Sequence, residues 1–209
     1  MISFDFERLW HTTIPAHADV ALAQQAVQNV LVRYAEPHRF YHTLMHLQQV
    51  LRLAERHQHQ LIDSQSVILA LFYHDAIYNP RRSDNELQSA ALARQSLAQW
   101  LPEPRLARIG QLILATTGHA LPDNDPDLAA LLTFDLAILA ASPQDYVDYS
   151  VNIRNEYQHV SEVEYRRGRR QVLQRFLDQP VLFAEGILAA DAVRQAHRNV
   201  LTEYNALAD

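Results

Sequence analysis

VILALFYHDAIY, residues 67–78, is apolar for seven residues and then turns abruptly to His74-Asp75. Read at 3.6 residues per turn, Val67, Ala70, Leu71, His74, Asp75 and Tyr78 fall on one stripe. The segment is therefore expected as a helix whose inward face carries an imidazole and a carboxylate. A buried unpaired carboxylate costs several kcal/mol, so something must compensate Asp75, and a metal cation is one efficient way. Asp63 or Ser64 opens this helix, and Pro80 closes it near Tyr78.

The same period extends in both directions. Upstream, one helix is predicted over about 19–35 and another over about 43–57. In the second, His46 shares a face with Leu47, Val50, Leu51 and Ala54, so it also points inward. Downstream, Ser83-Asp84-Asn85-Glu86 has the spacing of a capping box for a helix to about Trp100. Pro102 and Pro104 open the next, which ends at Gly118, and GHALPDNDPD (118–127) reads as a loop. Asp125-Pro126 and Ser142-Pro143 each read as an N-cap and first helical residue, the latter for a helix to about His159. Ser161 and Glu164 form a second capping box, and a last helix is predicted over about 184–207. In LLTFDLAIL (131–139), Asp135 is the one charge and lines up with Leu131, Leu132, Ile138 and Leu139. No segment sustains the alternation of a strand. The expectation is an all-α, single-domain bundle of about ten helices spanning 1–209.

Composition narrows the chemistry. The 209 residues are 48% hydrophobic and 20% charged, enough for a core, and only four are glycine. The net charge of −6 excludes a broad basic face for duplex nucleic acid, but not a small phosphorylated substrate, because a bound metal reverses the field locally. With no cysteine, disulfides, thiolate metal sites and cysteine nucleophiles are excluded. The start, MISFDFERLW, lacks the basic-then-apolar pattern of a signal peptide, and no apolar run approaches the ~20 residues of a membrane span. A cytoplasmic protein is expected. The amphipathic terminal helices would supply a homodimer face.

Eleven histidines invite a search for ligands. His11, His17, His57, His59, His159 and His197 have polar or exposed contexts and read as solvated surface residues. His46, His74, Asp75 and Asp135 do not. Singly, each reads as a buried group satisfied by a hydrogen bond. Together they are four inward polar residues on three helices, an N₂O₂ set suited to Mn²⁺, Fe²⁺, Mg²⁺ or Zn²⁺ with positions left open for water and substrate.

The order His46…His74-Asp75…Asp135 resembles the H…HD…D signature of the HD superfamily of helical metal-dependent phosphohydrolases. Arg39 to His46 (RFYHTLMH) is similar to the YHNxxH motif of the cyclic-nucleotide phosphodiesterases of that superfamily, with Thr43 where they have Asn. Most of the chain resembles a bacterial family of predicted HD phosphohydrolases, through RFYHTLMH, FYHDAIY, DNELQSA, FDLAIL, IRNEY and Gly168-Arg169. The resemblance implies His46, His74, Asp75 and Asp135 as metal ligands and hydrolysis of a phosphoester. It carries to His42 the protonation of the leaving oxygen, and it counts Asp75 with His42 as catalytic. His42 and His46 are i and i+4, facing one cavity if the helix has started by then.

Four further residues are candidates for substrate contact: Tyr41, His119, Arg154 and Arg169. Tyr41 and Tyr78 flank the expected site, although tyrosines there are more often core. His119 follows a helix end, and its bland alternative is a loop histidine with no role. Arg154 and Arg169 lie near apolar stripes and are suited to fork onto phosphate, while the run Arg166–Arg170 reads equally as a solvated basic face. Glu86 reads first as the capping-box acid, though its spacing after His74-Asp75 allows contact with the site. Two other functions fit the sequence: an iron-dependent oxygenase of the same superfamily, and a non-catalytic metal clamp.

Overall fold

The computed structural model describes residues 4–208; residues 1–3 and 209, the extremes of the expected domain, lie outside it. The described chain is all-α, with no strand. Ten helices follow one another: α1 (Phe6–Thr13), α2 (Val20–Arg33), α3 (Leu44–His57), α4 (Ser64–Tyr73), α5 (Asn85–Leu97), α6 (Glu103–Ala115), α7 (Pro126–Leu136), α8 (Pro143–Glu156), α9 (Glu162–Asp178) and α10 (Ala190–Ala206). Short 3₁₀ turns at Gln58–Gln60 and Ala137–Ala140 extend α3 and α7. No single described helix is long and apolar enough to cross a membrane.

Side-chain caps set several starts. The carboxylates of Asp63 and Asp125 accept from the backbone N–H of Ser66 and Leu128, and the hydroxyls of Ser142 and Ser161 accept from Asp145 and Glu164. Each such cap stabilises its helix by about 1 kcal/mol. Pro126 and Pro143 follow their caps, where a missing N–H costs nothing. The box expected at Ser83 does not form. Asp84 is the N-cap and makes no side-chain cap bond, because Arg82 forks onto its carboxylate. The last helix begins at Ala190 rather than near 184, because Gly186, at φ +80°, breaks the chain in a conformation that helical residues do not adopt.

Helix α4 is the axle of the molecule. Every residue from Ser66 to Tyr73 is buried, and α1, α3, α5, α6 and α7 pack around it. It ends at Tyr73, five residues before the expected Tyr78. The reason is a set of side chains that take over the backbone groups a continuing helix would pair. The Arg39 guanidinium donates to the carbonyls of His42, Asp75 and Ala76. The Asp75 N–H donates to the Tyr34 hydroxyl, the Ile77 N–H to Ser89 Oγ and the Asn79 N–H to Asn85 Oδ1.

Two apolar clusters result. One is built from α1 to α7, with Trp10, Tyr34, Leu47, Leu51, Leu71 and Phe134 fully buried. The other joins the end of α7 to α8, α9 and α10 through Leu139, Ile153, Leu173 and Val200. The polar candidates lie where the two meet.

Candidate metal centre

His46 is in the first turn of α3, His74 caps the end of α4, Asp75 follows it in the turn, and Asp135 is near the end of α7. The two imidazoles are nearly inaccessible, at 2% and 1% exposure. His74 Nδ1 lies 2.8 Å from the Leu71 carbonyl. A carbonyl only accepts, so Nδ1 carries the hydrogen, and in the neutral ring Nε2 presents its lone pair inward.

The facing atoms converge. His74 Nε2 is 3.0 Å from His46 Nε2 and 3.0 Å from Asp75 Oδ2. Asp75 Oδ2 is 3.6 Å from His46 Nε2. Asp135 Oδ1 is 3.3 Å from His46 Nε2 and 3.5 Å from His74 Nε2. Ligands bonded at about 2.1 Å to one cation stand roughly 3.0 Å apart at octahedral angles and roughly 3.4 Å apart at tetrahedral ones. His46, His74 and Asp75 therefore have the spacing of a ligand set, and Asp135, on α7, stands beside the two imidazoles but outside that close group of three.

Charge balance agrees. Burial pushes the Asp75 and Asp135 carboxyls up, but the surrounding histidines more than offset it and hold both well below the usual range. Burial pushes the His46 and His74 rings down, and the two carboxylates overcome that and raise both. Two neutral imidazoles, two carboxylates and one divalent cation sum to zero charge, so these residues fit such an ion.

The other candidates fall around this set. His119 Nε2 is 2.8 Å from Asp135 Oδ2, on a residue held at φ +50°. His42 lies outside α3, which begins at Leu44 behind its N-cap Thr43, so the i,i+4 relation to His46 is not helical. Glu156, at the end of α8, positions His42 instead. Its Oε1 accepts the N–H groups of Phe40, Tyr41 and His42 at 2.8–2.9 Å. Its Oε2 is 2.7 Å from His42 Nδ1 and accepts from the Tyr78 hydroxyl at 2.7 Å. With Nδ1 turned to Glu156, His42 Nε2 faces Asp75 Oδ2 at 4.0 Å. Burial pushes the Glu156 carboxyl up, yet the His42 ring and these hydrogen bonds bring it down to about 2.

A cavity of about 640 Å³ opens beside them, lined by Tyr41, His42, Asp75, His119, Asp135 and Arg169 among others, with Tyr149, Tyr157 and Tyr165 also in its walls. The Tyr41 ring packs on His46 and Tyr149, and its buried hydroxyl has no hydrogen-bond partner. Arg169 is in the wall, but its guanidinium is bonded to Glu203 and the Tyr149 hydroxyl. Arg154 does not reach the cavity. It donates to the carbonyls of Tyr157 and Val160 and to Glu162, holding the end of α8. Glu86, free of the capping box, lines the cavity and makes no hydrogen bond to a described residue.

Glu156 and Arg39 escape the sequence reading. Both sit in ordinary charged contexts; Glu156 lies within IRNEY, where nothing marks it from a solvated helix-end acid. Their partners come from 114 to 116 and 36 to 37 residues away. No family model, curated protein or solved structure matches the chain.

Proposed function

We propose that this protein is a metal-dependent phosphohydrolase of the HD type, acting on a small phosphorylated molecule. The observation that carries the reading is the convergence of His46, His74 and Asp75 on one point at the edge of a substrate-sized cavity, with Asp135 beside both imidazoles. These four would hold a divalent ion: Mn²⁺, Fe²⁺, Mg²⁺ or Zn²⁺. Such an ion supplies Lewis acidity to a phosphoryl oxygen and lowers the pKa of water. His42 is the proton donor to the leaving oxygen. Glu156 fixes its Nδ1–H, so that Nε2 is the atom facing the cavity. Arg39 holds the carbonyls on either side, which keeps His42 and Asp75 in register.

Elemental mass spectrometry of untagged protein tests this first. Near-stoichiometric metal in the wild type, lost in a His74→Ala, Asp75→Ala double variant, is expected together with phosphoester hydrolysis by the reconstituted protein. Wild type that takes up none of the four ions would refute it. The second reading is an iron-dependent oxygenase of the same superfamily, whose sites carry added histidines between the HD pair and the final Asp; only His119, bonded to Asp135, lies there, which weighs against it. Oxygen uptake by iron-loaded protein without phosphoester turnover would select that reading.

A further inference from the structure

The chain has no lysine, so every permanent side-chain cation is an arginine. Three arginines line the cavity. Arg82 is forked to Asp84, and Arg169 is bonded to Glu203. Arg175 is different: it is exposed and makes no hydrogen bond or ion pair with any described residue. Its neighbour on α9, Phe176, meets the His119 ring at 6.3 Å, and His119 in turn is bonded to Asp135. Arg175 thus lines the cavity next to Phe176, the residue that meets His119, and also borders an outer groove with Arg166 and Arg170. Four acids, Asp75, Glu86, Asp135 and Glu164, line the same space. An anionic ligand entering it needs a cation not already paired with protein, and a planar fork matches two oxygens of a phosphate.

We infer that Arg175 is the anion receptor of this cavity, forking onto two non-bridging oxygens of the substrate's phosphate group. The inference rests on the phosphohydrolase reading for its substrate, but not for its measurement. The probe is inorganic phosphate, titrated by calorimetry into Mn²⁺-reconstituted wild type, Arg175→Ala, Arg175→Lys and Arg167→Ala. Arg167 is exposed on the same helix and outside this cavity, so its loss removes an equal charge without the contact. The expected result is phosphate binding weakened about 10- to 100-fold in Arg175→Ala, partly retained in Arg175→Lys, and little changed in Arg167→Ala. Equal weakening in Arg175→Ala and Arg167→Ala would reduce Arg175 to a contributor of field and overturn the assignment. Wild type that binds no phosphate would overturn it too. Metal content is read on each sample. Protein without metal would defeat the proposed ligand set, while the difference between the two alanine variants still decides Arg175.

Discussion

At the scale of single residues, the dyad of His42 and Glu156 has the most to lose. The carboxylate accepts five hydrogen bonds, three from backbone and two from side chains, so its charge organises the whole 40–42 turn. His42→Asn keeps a polar side chain but no titratable ring. Its kcat on any phosphoester the wild type hydrolyses is expected to fall about 10²- to 10⁴-fold with metal content unchanged, because His42 is not in the ligand set. Unchanged kcat would remove His42 from the chemistry. Glu156 also sets a pH dependence. Its folded pKa, about 2, lies below the ordinary glutamate value, so its contribution to stability is full above roughly pH 4.5 and lost as pH falls toward 2. Urea midpoints of metal-free protein from pH 6 to pH 3 are expected to decline. The decline should be shallower in Glu156→Gln, which no longer titrates. The inward-facing residues were legible from period alone, since an imidazole or carboxylate on an apolar stripe stands out. Glu156 was not, because what distinguishes it is three N–H groups delivered from more than a hundred residues away.

At the scale of elements, starts were more legible than ends. Starts are local chemistry: Asp125 or Ser142 followed by proline is enough, and the caps form. The end of α4 is not local. It is imposed by Arg39, Tyr34 and Ser89, which belong to other segments, and the periodic stripe continues through it without a break. Arg39 is therefore expected to behave as a buried charge that cannot be deleted cheaply. Its side chain is wholly inaccessible, and Arg39→Ala strands three carbonyls. A loss of about 3–5 kcal/mol in urea unfolding is expected, with metal released at lower denaturant than in wild type. Asp125 offers a milder test. Its carboxylate both caps α7 and pairs with Arg108. Asp125→Ala should cost about 1–2 kcal/mol, and Asp125→Asn, which keeps a capping oxygen, measurably less. Equal costs would mean that the ion pair, not the cap, fixes the start of α7.

At the scale of the whole molecule, all-helical architecture follows from composition and period, but the meeting of two apolar clusters does not. The four ligand candidates come from the first cluster's helices, and Glu156, Tyr149 and the α9 wall come from the second. A metal bound to the folded state alone stabilises it by about 2.7 kcal/mol at a free concentration one hundred times Kd. Melting temperature is accordingly expected to rise on adding the native ion and to fall with chelator. No shift in the His74→Ala, Asp75→Ala variant would tie the effect to this set, and a shift that persists there would locate the ion elsewhere.

The fully inward burial of α4 has one more consequence. Its residues from Ser66 to Tyr73 are all buried, whereas α9 lines the cavity through Tyr165, Gly168, Arg169, Val172 and Arg175. In hydrogen–deuterium exchange the axle should label last, and the α9 wall should show the larger slowing when the cavity is filled. Occupancy would then be written in a time course of mass, segment by segment, before any product has been identified.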